Sequence, residues 1–103
     1  MVEDLVERRI PIVQNINGFP KILRTDLTIP DRIMALAYVY GNQGFKIEAL
    51  QVWLRQFKSS VIMVALLRLD RDKAFLHRNG SLCTITKSGM QYVEKNIGFV
   101  ITE

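Results

Sequence analysis

Apolar residues recur at helical spacing in several stretches of this chain and alternate in one. The clearest helix opens at Thr28-Ile-Pro-Asp31. Thr28 can cap it, Asp31 can return the bond, and Pro30 sits in the first turn, where its missing N–H would have no intrahelical partner. Ile33, Leu36, Ala37 and Tyr40 then share a face, and Gly41-Asn-Gln-Gly44 ends the run. Leu50, Trp53, Leu54 and Phe57 mark a second helix from about Glu48 to Phe57. Lys58-Ser-Ser60 makes the next break, and Ser59 or Ser60 can cap a third helix running from about Ser60 to Asp70.

A hairpin is expected next. Asn79-Gly80 has the chemistry of a two-residue turn, because both positions must tolerate positive φ. In that register Arg78 faces Ser81, Leu76 faces Cys83 and Ala74 faces Ile85, which makes one face apolar. The other face carries His77 opposite Leu82 and Phe75 opposite Thr84. Thr86 is placed to cap a last helix whose stripe is Met90, Val93 and Ile97, and Gly98 is a natural terminator. Phe99 to Glu103 is a short tail of strand-forming residues. Residues 1–27 read as an N-terminal arm. Val2, Leu5, Val6 and Arg9 have helical spacing there, Pro11 would stop such a helix, and Asn17-Gly18 with Pro20 marks a turn.

The third helix has an unusual surface. With Ile62, Ala65, Leu66 and Leu69 set against the core, its outer arc holds Ser60, Met63, Val64, Leu67, Arg68 and Arg71. Met63, Val64 and Leu67 are large and apolar. Leaving all three in water would forgo on the order of 5 kcal/mol of burial, comparable to the whole stability of a small domain. The sequence therefore predicts that something covers them: the arm, a second copy of the chain, or another protein.

Composition narrows the function. A chain of 103 residues, 49% hydrophobic and 23% charged, is one ordinary globular domain. The net charge of +4 and pI near 9.5 suit a polyanionic partner without requiring one. The excess is concentrated between Gly44 and Lys95, where nine bases stand against four acids. The longest apolar run, Val61 to Leu67, is too short to span a bilayer, and the acidic N-terminus does not read as a signal peptide. A single cysteine, Cys83, rules out an internal disulfide. A cytoplasmic protein is expected, with no membrane partner.

The chemistry-bearing residues do not assemble into a catalytic pattern. His77 is the only histidine and falls in a hairpin strand. Cys83 reads as a small core residue, having no second thiol or histidine cluster for zinc. Asp70-Arg-Asp72 lacks the later glycine and glutamate of a calcium loop. Gly41-Asn-Gln-Gly44 lacks the Lys-Ser/Thr of a phosphate loop. No enzyme, cofactor or metal is expected.

From Thr28 to Ile97 the chain resembles the winged helix-turn-helix superfamily. The likeness is carried by the helix–turn–helix spacing, by Leu66-Leu-Arg-Leu69 running into a hairpin, and by Ile85-Thr-Lys-Ser-Gly89, similar to the Leu-Thr-x-x-Gly element that follows the wing in many members. The resemblance implies a mainly α fold with a small β-hairpin (α+β), as a winged-helix domain over residues 28–103 behind the arm. It also implies a small DNA-binding protein, a transcriptional regulator acting as a homodimer. Double-stranded DNA would be met through the wing and the ends of the third helix. The residues free to do so are Ser59, Ser60, Arg68, Arg71, Lys73, Arg78, Asn79 and Lys87. Its outer helix face, lacking Asn, Gln or Thr, argues for the alternative: an interaction module that docks a protein on Met63, Val64 and Leu67 and binds no DNA.

Overall fold

Thr28 caps the first long helix, its hydroxyl accepting from the Asp31 N–H at 3.3 Å, in a computed structural model that describes residues 12–98. The expected helix before Pro11 and the tail after Gly98 lie outside the described residues. Within them the chain is an α+β domain with four helices and two small antiparallel sheets.

Strands β1 (Val13–Ile16) and β2 (Phe19–Ile22) form a hairpin inside the segment read as an arm. Asn17 (φ 53°) and Gly18 (φ 84°) close it, both in the left-handed region that a type I′ turn requires. Its strands were hidden because the segment lacks clean alternation and Pro20 stands within β2. A two-stranded ribbon tolerates that proline, since each strand is an edge. Ile12 and Val13 are buried with the main core, so this segment belongs to the domain.

Helix α1 (Ile29–Tyr40) runs through the centre, with Ile33 to Ala37 all buried. A short 3₁₀ turn (Gly41–Gln43) leads to β3 (Phe45–Lys46) and α2 (Ile47–Trp53). Helix α2 is shorter than the spacing suggests: Leu54 caps it and Phe57 lies in the connection to α3. Helix α3 (Ser59–Leu67) widens at its end into a π turn (Arg68–Asp72), with the Lys73 N–H donating to the Arg68 carbonyl at 3.1 Å. Lys58 occupies the N-cap position, and neither Ser59 nor Ser60 supplies a capping bond. Ile62, Ala65, Leu66 and Leu69 are buried, as their spacing predicts.

Strands β4 (Leu76–Asn79) and β5 (Leu82–Ile85) form the second hairpin, and β3 joins it in the order β3-β5-β4. The pairing corrects the expected register. Leu76 faces Ile85, His77 faces Thr84, Arg78 faces Cys83 and Asn79 faces Leu82. The turn is Gly80-Ser81, with positive φ at Gly80 (65°) but not at Ser81, the pattern of a type II′ turn. Each partner moves by two positions, so parity survives and Leu76, Cys83 and Ile85 are still buried together. Ala74 is not in the strand. It takes φ 57° at the exit of α3 and is exposed. Helix α4 (Lys87–Tyr92) begins at Thr86, whose hydroxyl accepts from the Gly89 N–H at 3.0 Å. It ends in a second π turn (Val93–Ile97) at Gly98.

Candidate nucleic-acid interface

The eight candidate polar residues fall into three groups: the start of α3, its far end with the base of the second hairpin, and the tip of that hairpin. Helix α3 is nine residues long, or roughly 14 Å at 1.5 Å per residue. Ser59 and Ser60 are exposed at its start, where Lys58 at the N-cap extends the polar edge. Arg68 and Arg71 are exposed at its far end. That end leads within a few residues into β4, so Lys73 lies at the base of the hairpin, not at its tip. Lys87 joins it there, because the Thr86 hydroxyl donates to the Ala74 carbonyl at 2.7 Å and the Thr86 N–H to the Phe75 carbonyl at 3.0 Å. Acids interleave this group: Asp70 and Asp72 share its π turn.

The hairpin tip differs from expectation. Arg78 points to the same face as Cys83, is half-buried, and folds its Nε onto the Gly80 carbonyl at 2.9 Å. Asn79 is exposed but sits in the strand opposite Leu82 instead of in the turn. The bond at Nε stiffens Arg78 across the tip while its two terminal nitrogens keep their donors. Burial pushes the Cys83 thiol up from its ordinary value, opposed by the neighbouring Arg78 cation.

The apolar patch also moves. Met63 is half-buried and packs on the core, and Leu67 is half-buried. Val64 is 51% exposed and is joined by Val61, 44% exposed, which the sequence reading passed over. With Ile29, Pro30 and Ala65 these valines line a groove of about 470 Å³ between α3 and the start of α1, with Ser60 and Arg68 at its margin. Val61 stands about 90° from the centre of the buried stripe. A flank position of that kind is covered only if a neighbouring element reaches it, and here Ile29 and Pro30 at the start of α1 line the groove without covering Val61.

Sequence reasoning missed a second convergence of cations. Lys21 of β2 and Arg55 of the α2–α3 connection line one recess with Phe19, Trp53 and Gln56. Both cations were visible, but only the β1–β2 hairpin brings them together. The sequence signal was Asn17-Gly18, whose turn chemistry implies flanking strands.

No protein-family model, curated protein or solved structure matches this chain significantly. Among the described residues no helix is long and apolar enough to cross a membrane, and no cluster of His, Cys, Asp and Glu could hold a metal ion.

Proposed function

We propose that this chain is a winged-helix protein that binds double-stranded DNA through phosphate contacts, as a small regulator. The single observation that supports the reading best is the strand order. Strand β3 stands between α1 and α2 in sequence, yet it pairs with β5 and leaves β4 on the far edge. That order ties the α2–α3 pair to the hairpin, as in a helix-turn-helix carrying a wing. Lys58, Ser59 and Ser60 at the start of α3 supply polar groups beside backbone N–H donors that no side chain caps. Arg78 and Asn79 supply the wing tip. The exposed side of α3 carries valines where base-reading amides would stand, so the contact positions the protein without reading sequence strongly.

A fluorescence titration of random-sequence duplex at two salt concentrations tests this. Wild type is expected to bind, with affinity falling steeply as salt rises. Arg78→Ala should weaken every duplex about equally and lower the salt slope by about one. Absence of binding even at low salt would refute DNA binding. The groove at Val61 and Val64 favours a second reading, in which α3 docks a protein surface, either a second copy of this chain or a partner. On that reading Val64→Glu disrupts association and leaves any DNA affinity intact.

A further inference from the structure

We propose that the recess between β2 and the α2–α3 connection is a binding site for a phosphate ester carrying a flat apolar group. This site lies outside the residues assigned to the wing and to α3, and it stands on its own geometry.

The fold builds the recess from two distant segments. Period two along β2 places Phe19 and Lys21 on one face of that strand. Leu54, 1% exposed, pins the end of α2, and the next residue, Arg55, is carried outward beside them. The Arg55 guanidinium sits 5.7 Å from the centre of the Phe19 ring. A cation–π contact of that kind holds the guanidinium beside the ring, and a guanidinium presents paired N–H donors that match an oxyanion. Lys21 adds a second, point-like cation.

Two like charges in one recess repel each other, and an anion between them reverses the sign of that interaction. Among the described residues no carboxylate lines the recess or forms an ion pair with Lys21 or Arg55. The recess has two lobes. The smaller, about 150 Å³, sets Lys21, Arg55 and Gln56 against Phe19, Ile22, Trp53 and Leu54, and its two cations suit a phosphate. The larger, about 320 Å³, opens beside it over Ile16 and Phe19 and shares both cations. An apolar, partly aromatic wall next to a dicationic corner suits a nucleotide unit: the phosphate enters the corner, and the sugar or base lies on Phe19.

Such a unit can come from a nucleic-acid backbone or from a free nucleotide, and three titrants separate the two. Inorganic phosphate, adenosine monophosphate and duplex DNA are each titrated into the full chain by calorimetry. The proteins are wild type, the double variant Lys21→Gln/Arg55→Gln, and Phe19→Leu. Both cations are exposed, so the double variant should keep the wild-type circular dichroism and melting temperature. Binding of the mononucleotide by wild type, weakened at least roughly tenfold in the double variant and less in Phe19→Leu, assigns the site to a free ligand. Phosphate alone should then bind more weakly than the mononucleotide. If only duplex DNA binds, and the double variant lowers the salt slope by about two, the two cations clamp a nucleic-acid backbone and the place for a flat group on Phe19 is refuted. If the double variant binds all three titrants as wild type does, or if wild type binds none of them, the site is refuted. Loss of DNA affinity in Arg78→Ala with an unchanged double variant would refute this site alone and leave the wing-led reading standing.

Discussion

The phenol of Tyr92 donates to Asp31 Oδ1 at 2.6 Å, joining residues 61 apart in sequence. Tyr38 makes the same kind of bond to Glu94 at 2.7 Å, so two tyrosine–carboxylate bonds fasten α1 to the α4 segment. Asp31 was expected to complete a capping box. Its carboxylate instead serves Tyr92, while Thr28 alone provides the cap. The bond to Asp31, aided by burial, pushes the Tyr92 phenol up to about 12 from the ordinary 10.0. A raised phenol pKa means that the fold favours the protonated form. The stabilisation is therefore whole below about pH 10 and is lost as pH rises through about 12. Tyr92→Phe should lower stability by about 1 kcal/mol near neutrality. The loss should shrink toward zero between pH 10 and 12, as wild type gives up the same bond. Thermal melts across that range check it, and a difference between the two proteins that stays constant with pH would refute the assignment.

At the level of elements, the segment after the second hairpin shows why one glycine is required. Gly89 lies in the first turn of α4, where a Cβ would stand 2.2 Å from the Phe75 carbonyl and 2.8 Å from Ile85 Cγ1. The obstruction is backbone, which cannot rotate away. Gly89→Ala should therefore force α4 off the end of the sheet and destabilise the domain by about 2 kcal/mol or more, lowering the melting temperature by roughly 10 °C. A melting temperature within a degree or two of wild type would show that α4 can shift without loss. The close approach gives Ile85-Thr-Lys-Ser-Gly89 a physical meaning: Thr86 caps the helix and Gly89 lets it touch the backbone at Phe75, where the chain enters β4. The same region shows how a register can be misread without harm to the core. Asn79-Gly80 and Gly80-Ser81 are both plausible turns by composition, and the sequence between them does not choose. Because the choice preserves parity, Leu76, Cys83 and Ile85 reach the interior either way.

On the scale of the whole molecule, burial is decided by neighbours that the chain does not name. The stripe of α3 that packs inward was legible from its spacing, and Ile62, Leu66 and Leu69 are buried accordingly. Which outward residues stay bare depended on how α1 crosses α3. That crossing leaves Val61 and Val64 in an open groove with Ile29 and Pro30. An apolar groove on an exposed helix is a place where two copies can meet. Sedimentation of the full chain across a concentration series should show reversible self-association. Val64→Glu should shift it to monomer while changing the melting temperature little, since Val64 is half in solvent. A wild type that sediments as a monomer at every concentration would remove the homodimer and leave the groove to another partner.

Although in α1 the fold buries Met34 and Ala35 as well as Ile33, Leu36 and Ala37, the chain by itself determined the caps at Thr28 and Thr86, the inward stripe of α3, the inward Val93 and Ile97 that follow α4, and the apolar face of the second hairpin. These are local features, set by backbone hydrogen bonding and by side-chain periodicity within a few residues. It also announced a turn at Asn17-Gly18 without revealing the strands on either side, because Pro20 and an uneven apolar pattern masked their period. Tertiary structure alone decided the pairing of β3 with β5, the bonds from Tyr92 to Asp31 and from Tyr38 to Glu94, and the meeting of Lys21 with Arg55. Each of these joins segments far apart in the chain. Their distances depend on how whole elements cross, which no local pattern encodes. The candidate cations divided in the same way: the sequence named them, and only the fold separated the hairpin base from the tip.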